Sequence, residues 1–323
     1  MTATRANLAR GILDTMDTRT LGPFDVSVVG LGCNNFGSRL DSAATRSVVE
    51  TALEVGINFF DTADIYGDSK SETYLGAALA GHRDEAIVAT KFGMEMPEGS
   101  GGSAAWVQTA AEASLRRLGI DHIDLYQFHR PDDEVPIAET LGALAELVAA
   151  GKVRAIGCSN VSVAQLEEAL GFSGGESLPS WVSVQNHYSL LHRDPEADGV
   201  LDACERHGLG LLPFFPLSSG VLTGKYRRGE EPPKGTRLGD IPAERAERFL
   251  NDERAAAAER LSGFAADRGR TLLELAIGYL LAAIPVASVI AGATKPEQVA
   301  ANAAAASWTL SADEVAEARL LVG

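Results

Sequence analysis

The sequence predicts a single (β/α)8 barrel with an N-terminal hairpin, a long loop after the seventh strand and a C-terminal helix. Three observations carry that reading. Eight short apolar runs alternate with amphipathic stretches along the 323 residues. The runs are apolar on both faces, as parallel strands covered by helices are. Ionisable residues recur just after several runs, where a closed parallel barrel gathers its strand C-termini on one face.

Taken in order, Thr20-Leu21-Gly22-Pro23-Phe24-Asp25 reads as a hairpin turn under the barrel floor; a flexible segment, 1–18, comes before the barrel at 19–323. Strand-like runs follow at 26–31, 57–60, 87–89, 125–128, 153–157, 182–184, 209–215 and 286–290, bounded by Gly, Asn or Asp. Helical stretches occupy 43–53, 72–79, 107–118, 137–148, 163–170, 200–206, 255–264 with 272–281, and 297–304. Their apolar residues recur at three- and four-residue steps, as in Leu141, Leu144, Ala145 and Val148. Residues 218–247, rich in Gly, Pro and charge, far exceed the ~4–6 residues of an ordinary connection and read as a flexible lid. An open doubly wound sheet competes, on the strength of Gly30-Leu31-Gly32-Cys33-Asn34-Asn35-Phe36-Gly37. The third glycine of that fingerprint is missing, with Asn35 in its place, and a polar loop to Asp41-Ser42 separates the run from the next helix. The helix N-terminus would then miss the pyrophosphate it should hold.

A hydrophobic content of 46% supplies one large core, and a net charge of -16 repels nucleic acid and anionic membrane surfaces. No apolar run approaches the ~20 residues of a membrane span, and the N-terminus lacks a signal-peptide core. Cys33, Cys158 and Cys204 are an odd, widely spaced set without zinc-ligand spacing. They read as small core residues of a reduced, cytoplasmic protein, with no metal site; the chain could be a monomer or a homo-oligomer.

Three strand ends carry the chemistry: Phe60-Asp61-Thr62-Ala63-Asp64-Ile65-Tyr66-Gly67, Ala89-Thr90-Lys91 and Gln127-Phe128-His129. A free phenol, with a pKa of about 10, is a slow acid at neutral pH. A lysine held close in a dry cleft favours the phenolate and can bring that value down toward 7. Asp61 can keep Lys91 protonated and aimed, and His129 can hydrogen-bond a substrate oxygen. Singly, each has an ordinary explanation as a salt bridge, a helix cap or a satisfied core histidine. Together they suit delivery of a proton to a developing alkoxide, as carbonyl reduction requires.

These motifs, with Asp124-Leu125-Tyr126-Gln127-Phe128-His129-Arg130-Pro131-Asp132, Gly151-Lys152-Val153-Arg154-Ala155-Ile156-Gly157-Cys158-Ser159-Asn160 and Leu222-Thr223-Gly224-Lys225-Tyr226, closely resemble the aldo-keto reductases. The resemblance runs from about Arg19 to near Leu321. It implies a barrel that binds NADPH without a Rossmann fold and reduces aldehydes and ketones, with Asp61, Tyr66, Lys91 and His129 as catalytic tetrad. It also implies that Ser159, Asn160 and Gln185 hold the nicotinamide carboxamide and that Phe214 stacks on its ring. Leu217, Ser219 and Lys225 fall along the pyrophosphate, and Gly292, Thr294, Lys295, Gln298 and Asn302 at the adenosine end. Gly32, Cys33 and Asn34 join the cofactor side, while Asn35, Phe36, Arg130 and Tyr188 fall to the substrate.

The chain departs from the family pattern at Gly292 and Gln298, where many relatives carry a lysine and an arginine on the 2′-phosphate. NADPH remains the expected cofactor over NADH, on Thr294, Lys295 and a helix N-terminus. Two other readings stand beside carbonyl reduction: a Schiff-base aldolase using Lys91, and an NADPH-binding sensor resembling potassium-channel β subunits.

Overall fold

The computed structural model describes residues 16–173 and 178–323. Most of the expected N-terminal segment therefore lies outside the described residues, although Thr18 is already paired in the first strand. That strand, β1 (Thr18–Leu21), forms an antiparallel hairpin with β2 (Phe24–Ser27). Gly22 takes a φ of +56° at the turn, a conformation that favours glycine.

Eight parallel strands follow: β3 (Val29–Gly32), β4 (Phe59–Asp61), β5 (Ile87–Phe92), β6 (Ile123–Phe128), β7 (Val153–Ser159), β8 (Trp181–Gln185), β9 (Gly210–Leu211) and β10 (Val289–Gly292). Their order is β10-β3-β4-β5-β6-β7-β8-β9. A parallel bridge from Leu211 to Val286, with Leu211 N–H donating to Pro285 O, closes the ring. The predicted barrel is the observed one.

Two boundaries differ from the sequence reading. Residues 26–31 are two strands, because the chain turns at Val28, where the Ser27 hydroxyl donates to Val29 O and fixes the bend. The run 209–215 contributes only Gly210–Leu211 plus an isolated bridge at Phe214, since Pro213 has no N–H and Phe215 adopts a φ of +51°.

The hairpin plugs the barrel floor. Leu21, Phe24 and Val26 pack with Phe59, Leu125, Leu212 and Ile290 from the barrel interior. A Cβ on Gly210 would stand 2.2 Å from Leu21, so that close approach requires glycine. The outer helices match the amphipathic stretches within a few residues, for example Ser42–Glu54, Ala104–Leu118, Ile137–Ala149 and Leu272–Leu281. The last begins with a capping box between Thr271 and Glu274. With the floor sealed, the strand C-termini are left as the open face.

Candidate active site

On that face a cavity of about 800 Å³ runs from Tyr66 and His129 to Asn302. Asp61 ends β4, Lys91 lies in β5, and His129 follows β6, so neighbouring strands in register bring them together. The Lys91 amine donates to Asp61 Oδ2 at 2.6 Å, to Thr62 O at 2.8 Å and to the Tyr66 hydroxyl at 3.4 Å. The His129 ring meets the Tyr66 ring edge-on with centroids 5.9 Å apart. Lys91 is fully buried.

Electrostatics differ from the sequence reading at the phenol. Burial would lower the proton affinity of Lys91, but Asp61 and then Tyr66 outweigh it, and the net shift is upward. Burial also raises the Tyr66 phenol; Lys91 draws it down and Asp61 pushes it back, so the net direction is up. The expected depression is absent because burial of the phenol outweighs the pull of Lys91, and Asp61 offsets part of that pull as well. Tyr66 is therefore a neutral phenol at pH 7, the form that can give a proton. His129 is brought down to about 3 by burial, Lys91 and Arg130, so it is a neutral imidazole.

Further along the wall stand Gly32, Cys33, Asn34, Ser159, Asn160, Gln185, Phe214, Leu217, Ser219 and Lys225. Gly292, Thr294, Lys295, Gln298 and Asn302 line the far end. Asn160 holds a φ of +58° just past β7, and its amide donates to His129 O at 2.9 Å. Gln298 folds back on its own turn: its Oε1 accepts from Thr294 N at 2.7 Å and from Thr294 Oγ1 at 3.1 Å. The donors of Thr294 are thus occupied, and Lys295 is left as the cation at that end.

Four residues expected at the substrate are placed differently from one another. Asn35 lines the cavity, but its amide is tied to Ala293 O at 3.2 Å. Phe36 is completely buried in the core. Tyr188 is also buried, its hydroxyl bonded to Glu196 at 2.7 Å beside Tyr279 and Arg319. Both are packing residues, not cavity walls. Arg130 is exposed and stands outside the cavity wall; Asp132 instead accepts from the N–H groups of Gly102 and Glu134.

The sequence reading missed Arg39, Phe215, Lys234, Thr236 and Arg237, all of which line the cavity. Arg39 bonds Asp240 at 2.6 Å and reaches Gly235 O, which pins the 218–247 segment across the opening. Lys225 is lowered by burial and then by Arg39 and Arg237. Arg237, held over the Phe215 ring at 5.2 Å, is lowered by burial and then chiefly by Arg39. The Pro-Pro-Lys-Gly-Thr-Arg stretch ending at Arg237 was the available signal, hidden by its loop-like composition.

These surfaces suit a nicotinamide dinucleotide. Amide and hydroxyl groups cluster beside Asp61, Tyr66, Lys91 and His129, cations occupy the middle, and the N-terminus of the helix Pro296–Ala304 with Lys295 forms the far end. The buried Ser219 Oγ, which has no hydrogen-bond partner among the described residues, lines the central stretch.

Fold and site together define an oxidoreductase built on a (β/α)8 barrel. Residues 28–321 match the Aldo/keto reductase family across nearly the whole described chain, and the protein belongs to that family. It is 32% identical over 297 residues to an L-glyceraldehyde 3-phosphate reductase of Escherichia coli K12, covering 88% of this chain and 85% of the relative. It is 33% identical over 272 residues to a probable voltage-gated potassium channel subunit beta of Arabidopsis thaliana, covering 83% of each. Among solved structures, a holo-form aldo-keto reductase from Bacillus halodurans superposes with a TM-score of 0.78 at 34% identity, over 95% of this chain and 96% of the other. Among the described residues no helix is long and apolar enough to cross a membrane.

Proposed function

We propose that the protein reduces the carbonyl of a small aldehyde, ketone or sugar with NADPH, or oxidises the corresponding alcohol, with Tyr66 as the proton donor. The observation that carries this reading is the neutral Tyr66 phenol, bonded to a Lys91–Asp61 pair and facing the cavity beside a neutral His129. A bound nicotinamide cofactor supplies the hydride. Tyr66 then gives its proton to the carbonyl oxygen as negative charge develops there, and Lys91 stabilises the phenolate that remains. His129 hydrogen-bonds the same oxygen and fixes its angle. The phenolate regains a proton from solvent.

Preference for NADPH over NADH rests on Lys295 at the adenosine end, since the cations along the middle of the cavity meet a pyrophosphate that both cofactors carry. The Schiff-base alternative needs a neutral, accessible amine. Lys91 has the opposite properties: it is fully buried, committed to Asp61 and Thr62 O, and raised in proton affinity. The sensor reading draws on the potassium channel subunit relatives and differs from the enzymatic one only in turnover. A panel of aldehydes, ketones and sugars, with L-glyceraldehyde 3-phosphate included, followed by NADPH absorbance, decides the matter. Tight NADPH binding with no turnover across the panel would refute the reductase.

A further inference from the structure

Asp61 carries more than its ion pair. Its Oδ2 accepts from Lys91, while its Oδ1 accepts from two neutral amides, Gln185 Nε2 at 2.8 Å and Gln127 Nε2 at 3.0 Å. Gln185 Nε2 also donates to Gln127 Oε1 at 3.2 Å. Gln127 is completely buried and does not line the cavity; Gln185 does.

The orientation of both amides follows from chemistry. A carboxylate paired with lysine only accepts, so each glutamine must turn its NH2 toward Asp61. Gln127 then presents its carbonyl to the second N–H of Gln185. Both hydrogens of Gln185 are spent, and its Oε1 is the atom left for the cavity. The neighbouring groups are spent in the same sense. Ser159 Oγ donates to Gln185 O at 2.7 Å, and Asn160 Nδ2 donates to His129 O at 2.9 Å and to Ser159 Oγ at 3.0 Å. This end of the cavity therefore offers acceptors.

We infer that Gln127 is a positioning residue: by accepting the second N–H of Gln185 it fixes an acceptor at the carboxamide end of the cofactor site. That end then recognises the amino group of the cofactor's carboxamide. The inference rests on the nicotinamide reading proposed above and assigns a specificity role to a residue behind the wall.

The test compares dissociation constants for NADP⁺ and its 3-acetylpyridine analogue, which keeps the carbonyl but replaces the amino group with methyl. The readout is binding, by calorimetry or protein fluorescence. Wild type should favour NADP⁺ by roughly three- to tenfold, the worth of one neutral hydrogen bond. Gln127→Met keeps the bulk of the side chain and leaves the second N–H of Gln185 without its acceptor; the amide can then pivot on its bond to Asp61, its Oε1 is no longer held at one place, and the ratio should fall toward one. Gln127→Glu, held protonated beside the Asp61 carboxylate, donates its O–H to Asp61 and keeps its carbonyl for Gln185, so it should keep the wild-type ratio. A space-filling role predicts the reverse, with Met benign and the buried carboxyl of Glu disruptive. A wild-type ratio in Gln127→Met, or no discrimination in wild type, would overturn the inference. Failure of wild type to bind either dinucleotide would instead refute the cofactor reading beneath it.

Discussion

Replacing Tyr66 with phenylalanine removes one oxygen whose side-chain hydrogen bond, among the described residues, is the 3.4 Å approach of Lys91. Lys91 keeps its shorter bonds to Asp61 and Thr62 O. The loss of so long a contact should change stability by no more than about 1 kcal/mol and leave dinucleotide affinity intact. Turnover should fall by roughly 10²–10⁴, or about 2.7–5.5 kcal/mol of transition-state stabilisation, because the proton donor is gone. Lys91→Met should lose comparable turnover for a different reason and with a different signature. It leaves a buried Asp61 carboxylate without its counter-charge, which costs about 3–5 kcal/mol of stability. Melting curves, dinucleotide titrations and NADPH-absorbance rates on both variants separate the two effects. The upward shift of the phenol adds a pH arm: reductive turnover of wild type should show no alkaline limb from Tyr66 below about pH 10. Near-wild-type turnover by Tyr66→Phe, on substrates that wild type reduces, would refute the assignment.

Lys295→Ala should weaken NADPH by roughly ten- to a hundredfold, a charge-assisted contact of about 1.5–3 kcal/mol, and leave NADH nearly unchanged. Equal losses for both cofactors in titration would show that Lys295 does not read the 2′-phosphate. Hydrogen exchange across 218–247 should slow when NADP⁺ binds; unchanged protection would reduce this segment to a passive insertion. Asp64 is buried, and burial followed by Glu72 raises it to about 7 from 3.8 against the smaller opposing pull of the Ile65 N–H. A raised acid gives its full stability below the unfolded value and loses it as pH rises through the folded one. Asp64→Asn should therefore stabilise the protein at pH 8 by up to about 4 kcal/mol, with the gain vanishing toward pH 4 in melting experiments.

The architecture was legible because a barrel strand covered on both sides leaves a run that is apolar throughout. The convergence of Asp61, Tyr66, Lys91 and His129 was legible because strand ends impose it without any tertiary contact being known. Failures came where tertiary context overrides local pattern. Phe36 and Tyr188 sit beside polar, site-like residues, yet the chain turns both into the core. For Tyr188 the reason is Glu196, which satisfies its hydroxyl there. Arg237 escaped notice because a Pro- and Gly-rich segment has no periodicity to say which of its cations turns inward. The direction of the Tyr66 shift was beyond the sequence, since it depends first on how deeply the phenol is buried and then on how much of the Lys91 field Asp61 offsets. Gln127 was invisible for a similar reason: in a run of strand residues an amide reads as a filler until its partner, 58 residues away, is placed.

The charge of the cavity runs against that of the molecule. In a chain of net charge -16, Arg39, Lys225, Lys234 and Arg237 line one opening. Arg39 has Asp240 opposite it, while Arg39 and Arg237 both depress Lys225. These cations repel one another at distances where a half-buried setting screens poorly. A fold that gathers them loses stability unless an anion enters. On the cofactor placement proposed above, the pyrophosphate of a dinucleotide would supply two negative charges at that place and turn the mutual repulsion into attraction. The Arg39–Asp240 pair joins the first barrel loop to the same segment that carries Arg237, so the attraction draws both sides of the opening together. Ordering of this segment and retention of the dinucleotide are then one equilibrium, and salt should weaken both in parallel.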